Sequence, residues 1–453
     1  MRKAIVVGSG LVGSLWAYLL KSRGCEVEIL EKRSDPRLGS NDSGRSINLV
    51  VTSRGLHALK SAGLLEKILP LTVPVFGRQI HPKSGPDFFQ PYGRDKSECN
   101  YSVSRIELNK ALISECEAKG VRTYFDHPVE TIDLEQKIIN CHGTNIKYDL
   151  LFAADGAGSV IRKKLAGAYP AEFQEKTEWL DSGYKELSMP PGLEKNALHI
   201  WPRGSHMLMG LANLDSSFTM TMYIPHRGPG FTLENLKSED SVQKFFESEY
   251  STATSHMPDF LQDFLARPEG SLGTVRMNKW VYRDSVALLG DAAHAIVPFF
   301  GQGMNLGFED CTTLLKCLDD GRNDWATALA SYDRIQRPNA NAIAEMALEN
   351  FTEMRDKVSD SQFQFRKKIE AVIEHEFPEL YRSRYGMITY TLIPYEVARQ
   401  AGLRQNELLA RFSEGLSDPS KLDLQKVKST LLSDFYPWLN QQGFTTDSYR
   451  TTL

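Results

Sequence analysis

The apolar and polar positions at the start of the chain predict a strand, a helix and a second strand. Residues 4–7 form an apolar run and are followed by the glycine-rich stretch GSGLVG at 8–13. Helical spacing of apolar residues continues to about residue 23, Gly24 indicates the helix end, and residues 26–30 predict the next strand, directly before Glu31. A glycine-rich turn between strand and helix, with an acid after the second strand, is typical of a dinucleotide-binding βαβ unit.

In such a unit each glycine has a separate task. Gly8 makes the tight turn, Gly10 leaves room for a pyrophosphate, and Gly13 lets the helix pack closely on the strand. Glu31 is expected to accept hydrogen bonds from the hydroxyl groups of an adenosine ribose. The alternative is a glycine-rich turn with no ligand.

A second glycine-rich segment, GDAAHAIVPFFGQGMNLGFED at residues 290–310, precedes a predicted amphipathic helix. Gly321 indicates where that helix ends, and its start falls in residues 301–303. Glycines let the backbone approach a planar ligand, and the free N–H groups of a first helical turn suit the anion at the edge of a reduced flavin. A loop that only caps the helix is the alternative. The apolar positions at helical spacing are Met304, Phe308, Cys311, Leu314, Leu315 and Leu318.

The remaining pattern predicts an α/β protein with an inserted sheet domain and a helical C-terminal region. Alternation in LHIWP, HMLMGLANL and FTMTMYIP indicates strands within residues 176–275, with one helical stretch at 242–249. Helices are predicted at 102–119, 342–357, 361–376 and 422–432, and a strand at 150–154. We therefore predict a discontinuous nucleotide-binding domain at 1–75, 99–175 and 276–340, a substrate-binding sheet domain at 76–98 and 176–275, and a helical region at 341–453 that covers the active site.

Composition narrows the possible partners. At 453 residues the chain exceeds the usual size of one core, and its net charge of −4 gives no general reason to bind nucleic acid or an anionic membrane. The six cysteines form no CxxC pair and no Cys/His metal spacing, so reduced thiols and no metal site are expected. The uncharged stretch 4–20 is interrupted by glycines and somewhat short for a membrane span, and the C-terminus is polar. A soluble cytoplasmic protein is predicted, and a homodimer remains open.

Three motifs stand in order along the chain: GSGLVG with Glu31, DGAGSVIR at 155–162 and GDAAHAIVP at 290–298. Their order and spacing resemble the aromatic-ring hydroxylase group of flavoprotein monooxygenases, which bind FAD in a discontinuous Rossmann-type domain. The resemblance implies that Asp291 contacts the ribose and ribityl region of FAD. It also implies that Asp155, Gly156 and Arg162 lie near the pyrophosphate and serve the nicotinamide nucleotide. Taken singly, Asp155 would also suit a turn and Arg162 an exposed surface charge.

Further segments, which cover nearly the whole chain, resemble the kynurenine 3-monooxygenase family of soluble bacterial type. They are GRSINL (44–49), QPYGRD (90–95), SVSRIELN (102–109), GYKEL (183–187), NALHIWPRG (196–204), VPFFGQGMN (297–305) and MALENFTEM (346–354). The resemblance implies hydroxylation of L-kynurenine at carbon 3 with O2, NADPH and tightly but non-covalently bound FAD, through a flavin C4a-hydroperoxide. By the same resemblance, this reaction would belong to tryptophan degradation by the kynurenine pathway, toward quinolinate and NAD synthesis.

The resemblance also implies the site residues. Arg78 and Tyr92 would bind the substrate carboxylate, Asn350 and Tyr385 would complete the polar shell, and Met354 would join them. Phe299 and Phe300 would wall the aromatic ring, although both also suit a plain core, and Arg78 also suits a solvated surface. The implied cofactor-binding residues are Gly8, Gly10, Val12, Gly13, Glu31, Lys32, Arg33, Arg45, Val50, Arg105, Val129, Asp155, Gly156, Arg162, Asp291, Gly301, Gly303, Met304 and Asn305.

No protein acid or base is required, because the oxidising chemistry belongs to the flavin, so the protein must hold the ring close and exclude water. Bacterial relatives often have His where this chain has Phe300, so any role of that His does not carry over. For His294 a structural role is favoured.

Three alternatives remain. One is a flavin hydroxylase of another substituted aromatic. A flavin halogenase is disfavoured, because the WxWxIP signature is absent and only HIWP occurs at 199–202. The third is a flavoprotein that acts mainly by binding another protein through its C-terminal helices.

Overall fold

The structure, a computed structural model, describes residues 2–39, 48–353 and 361–450. Its strands in chain order are β1 Lys3–Val7, β2 Glu26–Leu30, β3 Asn48–Val51, β4 Thr72–Val75, β5 Gly77–Ile80, β6 Phe88–Pro91, β7 Asn100–Ser104, β8 Arg122–Tyr124, β9 Thr131–Asp133, β10 Ile138–Cys141, β11 Thr144–Lys147, β12 Leu150–Ala153, β13 Glu175–Met189, β14 Ala197–Arg203, β15 His206–Ala212, β16 Phe218–Pro225, β17 Gly270–Met277, β18 Val281–Tyr282 and β19 Val286–Leu288.

The helices surround these strands and dominate the C-terminal part. In chain order they are α1 Leu11–Ser22, α2 Ser53–Ser61, α3 Leu65–Ile68, α4 Arg105–Ala118, α5 Val160–Ala168, α6 Glu239–Thr254, α7 Phe260–Ala266, α8 Asp291–His294, α9 Gly303–Asp320, α10 Trp325–Thr352, α11 Ser361–Glu376, α12 Arg384–Tyr390, α13 Tyr395–Ser413, α14 Leu424–Thr430 and α15 Tyr436–Gln441.

A six-stranded sheet in the order β18-β19-β12-β1-β2-β8 brings the three sequence motifs together. Strands β19, β12, β1, β2 and β8 run parallel, and β12 is fully buried, as expected for a sheet covered on both faces. GSGLVG follows β1, the Asp155-Gly156 turn follows β12, and the Gly290-Asp291 turn follows β19. Because the carboxyl ends of neighbouring parallel strands meet at one edge, all three turns lie side by side.

A seven-stranded sheet in the order β17-β13-β16-β15-β14-β5-β6 forms the inserted part. Alternation along β14 divides its side chains between two faces, because successive residues of a strand point in opposite directions. Trp201 packs in the core beneath helices α6 and α7, whereas Leu198 and Ile200 belong to a second cluster that contains Phe299. One face of the sheet is therefore closed by helices α6 and α7, and the other packs against the segment that contains Phe299.

The fold class predicted from the sequence, α/β with an inserted sheet and a helical C-terminal region, is confirmed. Several predicted boundaries were wrong. Residues 102–104 belong to strand β7, and the helix begins only at Arg105, where the side chain of Ser104 caps it by accepting from the N–H of Glu107. Helices α12 and α13 were not predicted.

The long helix α10 was predicted to begin at residue 342 but begins at Trp325. Pro338 lies inside it without ending it, since buried residues on both sides of the proline pack against α9 and α13. The predicted end of this helix, at 357, lies outside the described residues. Among the helices that the structure describes, none is both long and apolar enough to cross a membrane.

Candidate functional site

A cavity of about 310 Å³ lies where the carboxyl edge of the six-stranded sheet meets the open face of the seven-stranded sheet. All three glycine-containing turns contribute to it, through Gly10, Gly156 and Asp291 at one end. Arg78 in strand β5 and Tyr92, which directly follows strand β6, line the cavity at another end. The cavity thus joins the nucleotide-type turns to the inserted sheet.

The glycines of GSGLVG divide into two that pack and one that faces the cavity. Gly8 has φ of +101°, and a Cβ there would lie 2.5 Å from the carbonyl oxygen of Ala154. A Cβ on Gly13 would collide with the carbonyl oxygen of Gly8. By contrast, a Cβ on Gly10 would meet no atom within 4 Å, and Gly10 lines the cavity. The turn therefore leaves open space at the N-terminus of α1, as a bound pyrophosphate requires.

Glu31 is fixed at the carboxyl end of β2 by backbone donors. Its Oε2 accepts from the N–H of Ser9 at 2.8 Å and its Oε1 from the N–H of Arg33 at 2.9 Å. Lys32 and Arg33 are exposed beside it, and none of Glu31, Lys32 and Arg33 lines the cavity. Their contact with a ribose stays a prediction.

Arg162 is buried and used by the protein itself. Its guanidinium donates to the carbonyl oxygens of Ala292, at 2.9 Å, and Ala157, and to Glu175 at 3.2 Å. It therefore ties the turn after β12 to the turn after β19 and does not line the cavity. Asp155 caps the neighbouring helix by accepting from the N–H of Val160 at 2.7 Å, and burial raises the pKa of Asp155.

His294 lies behind the Asp291 turn. Its Nε2 is 2.7 Å from Oδ2 of Asp310, which also accepts from the N–H of Gly290 at 2.7 Å. Burial opposes protonation, but Asp310 outweighs it and raises the pKa of His294 above its ordinary value. These contacts hold the turn after β19 onto helix α9, which is the structural role favoured from the sequence.

Helix α9 starts and ends where the sequence predicts, at Gly303 and before Gly321. Asn305 in its first turn is fully occupied by the backbone: Nδ2 donates to the carbonyl oxygens of Val50, at 2.8 Å, and Gly301, at 2.9 Å, and Oδ1 accepts from the N–H of Thr52 at 2.9 Å. It shapes the glycine-rich loop and does not line the cavity.

Gln302 was not predicted from the sequence, yet it lines the cavity from the centre of this loop. Its Oε1 accepts a hydrogen bond from the hydroxyl of Tyr395 at 2.8 Å, and the hydroxyl of Thr52 lies 3.4 Å away. Its Nε2 is buried without a protein partner. The side chain therefore offers a fixed N–H donor where the loop would face a flavin.

The fit to FAD rests on these observations together. Open space at Gly10, free N–H groups at the first turns of α1 and α9, and the unpaired Nε2 of Gln302 suit the phosphates and the polar edge of the ring. These residues therefore fit FAD, the cofactor that the sequence motifs imply.

Arg78 forms the most unusual part of the cavity wall. It lines the cavity and is half-buried. Its guanidinium carbon lies 5.3 Å from the ring centre of Tyr92 and 5.9 Å from that of Tyr385, and Nε is 3.4 Å from the Tyr92 hydroxyl. Within the part of the chain that the structure describes, no carboxylate lies within 4 Å of it. A cation in such surroundings favours an anionic ligand.

Aromatic residues enclose the space next to Arg78. Tyr92 and Tyr385 are stacked with ring centres 5.5 Å apart, and Phe300 stacks on Tyr385 at 5.9 Å. Phe299 is buried, with its ring centre 5.0 Å from that of Tyr223 and 4.4 Å from that of Phe351. Its carbonyl oxygen accepts a hydrogen bond from Nδ2 of Asn350 at 2.7 Å. The amide of Asn350 thus holds the Phe299 backbone while the residue lines the cavity.

The cavity brings together many of the residues predicted from the sequence but not all. Arg45 and Met354 lie outside the described residues. Val129, like the packing glycines, does not line the cavity. The predicted residues that do line it are Gly10, Val12, Val50, Arg78, Tyr92, Arg105, Gly156, Asp291, Phe299, Phe300, Gly301, Gly303, Met304, Asn350 and Tyr385. Those that were missed include Asn100, Leu198, Ile200, Met209, Thr221, Tyr223, Gln302 and Thr389.

The parallel sheet, its three turns and this cavity define a flavoprotein. A model of the family described as "FAD binding domain" matches residues 1–347. Kynurenine 3-monooxygenase of Myxococcus xanthus is 40% identical, with 98% of this chain and 97% of that protein covered. Kynurenine 3-monooxygenase of Dictyostelium discoideum is 38% identical, with 92% and 95% covered. The chain belongs to the kynurenine 3-monooxygenase family of FAD-binding proteins.

Solved structures support the fold. The tetrameric form of 2-methyl-3-hydroxypyridine-5-carboxylic acid oxygenase has a TM-score of 0.65 at 19% identity, and covers 83% of this chain and 96% of its own. Pseudomonas aeruginosa PqsL in complex with 2-aminobenzoylacetate has a TM-score of 0.65 at 17% identity, with 78% and 97% covered.

Proposed function

We propose that this protein is an NADPH- and FAD-dependent hydroxylase that converts L-kynurenine into 3-hydroxy-L-kynurenine with O2. The observation that carries the proposal is Arg78, a cation without a carboxylate partner among the described residues, in an aromatic-walled cavity that continues to the flavin-type loop. L-kynurenine combines an aromatic amine with a carboxylate, and so matches both parts. The names of the relatives support the same substrate.

The flavin, when bound and reduced, supplies the activation of O2 for transfer of one oxygen atom to an electron-rich ring. NADPH provides the two electrons, and the second oxygen atom leaves as water. The ring amine of kynurenine donates electrons to the neighbouring carbon 3, so no further protein nucleophile is needed. The task of the protein is to hold that carbon near the flavin and keep bulk water away.

Arg78 and Tyr92 hold the carboxylate end in this proposal. The guanidinium offers two parallel N–H groups to a carboxylate, and the Tyr92 hydroxyl, 3.4 Å from Nε, offers another donor at the same place. The stacked rings of Tyr92 and Tyr385 keep the pair in position. The anchored end thereby sets how far the aromatic ring reaches into the cavity.

Phe299 and Phe300 wall the aromatic end. The backbone of Phe299 is fixed by Asn350, and both phenylalanines stand directly before the loop at Gly301. The same short segment therefore controls both the position of the substrate ring and the approach of the loop to the flavin. Packing of Phe299 against Tyr223 leaves little room for water on that side.

We further propose the domain division that the sequence predicts. FAD contacts are proposed for the predicted cofactor residues that line the cavity and for Glu31 and Arg45, and a substrate contact is proposed for Met354. We also propose a cytoplasmic location, supported by six cysteines that form no disulfide. A homodimer is the proposed assembly, which light scattering of the purified protein would test.

NADPH oxidation measured with and without L-kynurenine tests the proposal. We expect stimulation by the substrate and one hydroxylated product per NADPH oxidised. A panel of other amino-substituted aromatic acids separates the second candidate: a better substrate among them would replace kynurenine. Absence of any stimulated oxidation would favour a flavoprotein that acts by binding another protein.

A further inference from the structure

Asn100 begins strand β7, and only one of the two polar atoms of its side chain has a hydrogen-bond partner. Its Nδ2 donates to the hydroxyl of Tyr385 at 3.1 Å, whereas its Oδ1 is buried without a protein partner. The residue is 4% exposed and lines the cavity together with Arg78 and Tyr92. Leaving a buried acceptor unpaired costs about 1–3 kcal/mol, so this oxygen indicates a donor on the ligand.

The position of Asn100 indicates which donor this is. Tyr385, to which it is bonded, lies against Arg78, whose guanidinium carbon is 5.9 Å from the phenol ring. A ligand whose carboxylate is held by Arg78 therefore presents the atoms next to that carboxylate to Asn100. In an α-amino acid the neighbouring group is an ammonium ion, which has three donors and no acceptor.

An ammonium ion beside Arg78 needs oxygen acceptors around it, because the guanidinium repels it and cannot accept a hydrogen bond. Oδ1 of Asn100 is such an oxygen, and the hydroxyl of Thr389 lies one helical turn after Tyr385 at the same phenol. Arg78 also favours this orientation of the amide, since turning Nδ2 toward the cavity would direct a donor toward a site that already contains the cation.

We propose that Oδ1 of Asn100 accepts a hydrogen bond from the α-ammonium group of the substrate, and so makes the site select an α-amino acid over the same acid without its amine. This inference rests on the proposed function, in which Arg78 holds the α-carboxylate. It adds a specificity-determining residue that the sequence motifs do not mark.

The test compares two ligands that share the ring, the ketone and the carboxylate. They are L-kynurenine and 4-(2-aminophenyl)-4-oxobutanoic acid, which lacks the α-amine. The Kd of each is measured by flavin absorbance titration of the FAD-loaded enzyme, together with kcat/KM. A hydrogen bond to a charged group corresponds to about 10-fold to 100-fold in affinity, so the unaltered enzyme should prefer L-kynurenine by at least about 10-fold.

Two variants of nearly the same size separate charge from shape. Asn100→Leu should reduce the preference for L-kynurenine about 10-fold and change the Kd of the amine-free acid less than about threefold. Asn100→Asp keeps an acceptor and adds a negative charge, so it should keep or increase the preference while it weakens the amine-free acid. Tyr385→Phe is the matched control, because it removes the partner of Nδ2 and should weaken both ligands in similar proportion.

Two results would overturn the inference alone. Equal weakening of both ligands in Asn100→Leu would mean that Asn100 only supports Tyr385. Stronger weakening of L-kynurenine than of the amine-free acid in Asn100→Asp would mean that Nδ2, not Oδ1, faces the ligand. An unaltered enzyme that neither binds nor hydroxylates L-kynurenine would instead refute the proposed function and this inference with it.

Discussion

Replacing Arg78 by lysine tests how the cavity holds a carboxylate. Lysine keeps the positive charge but loses the planar fork, so of two parallel hydrogen bonds only one remains. Each hydrogen bond to a charged group contributes about 1.5–3 kcal/mol. A loss of about 2 kcal/mol corresponds to about 30-fold weaker binding, since about 1.4 kcal/mol is a factor of ten. Arg78→Lys should therefore raise the Kd and KM for L-kynurenine about 30-fold and lower kcat/KM.

The assay is NADPH oxidation titrated with L-kynurenine, with bound FAD measured from the visible spectrum of each purified variant. Arg276→Lys is a matched control on the same sheet, because that arginine already pairs with Glu178 at 3.1 Å and Glu345 at 2.7 Å. Its KM should change less than about threefold. An unchanged KM in Arg78→Lys, or loss of FAD from that variant, would refute the assignment of Arg78 to the substrate carboxylate.

Three further predictions concern the cofactor loop and the folded state. Gly10→Ala should leave the melting temperature of the apoprotein unchanged but weaken FAD binding, because the added Cβ meets no protein atom and enters the cavity. Calorimetry measures the first effect and FAD titration the second, and an unchanged FAD affinity would contradict the prediction. Tyr395→Phe should weaken FAD binding and lower stability by about 1–2 kcal/mol, because Gln302 loses its donor, whereas Tyr390→Phe, whose hydroxyl is buried without a partner, should change neither. Burial lowers the pKa of His206 from 6.5 to about 4, so the folded protein loses stability as the pH falls below about 6.5. His206→Gln should remove about 2 kcal/mol of the stability loss between about pH 7.5 and pH 5, measured by denaturant unfolding. An equal loss of stability in both proteins would contradict this prediction.

Elements with local signals could be predicted from the sequence. Helix α9 has its observed bounds because glycines mark both ends and apolar residues keep helical spacing between them. The strands of the inserted sheet alternate clearly, because one face is closed by helices and the other lines the cavity. The start of α10 was missed because Pro338 resembles a helix boundary, and only burial on both sides shows that the helix continues.

Contacts between distant segments could not be predicted in the same way. Nothing near Arg162 in the sequence shows that its guanidinium reaches the carbonyl oxygen of Ala292, 130 positions away. The side-chain amide of Asn305 likewise donates to the carbonyl oxygen of Val50, a contact between distant segments. Asn100 and Gln302 carry no local signal, because an amide becomes a site residue only when one half is fixed by another element and the other half is left unpaired.

The measurement that tests the central claim most directly is product analysis with isotopically labelled oxygen. The purified FAD-loaded enzyme is supplied with NADPH, L-kynurenine and ¹⁸O₂, and the products are examined by mass spectrometry. The account predicts 3-hydroxy-L-kynurenine with one labelled oxygen on the ring, formed in step with NADPH oxidation. NADPH oxidation that is indifferent to L-kynurenine, or a ring that carries no label, would contradict it.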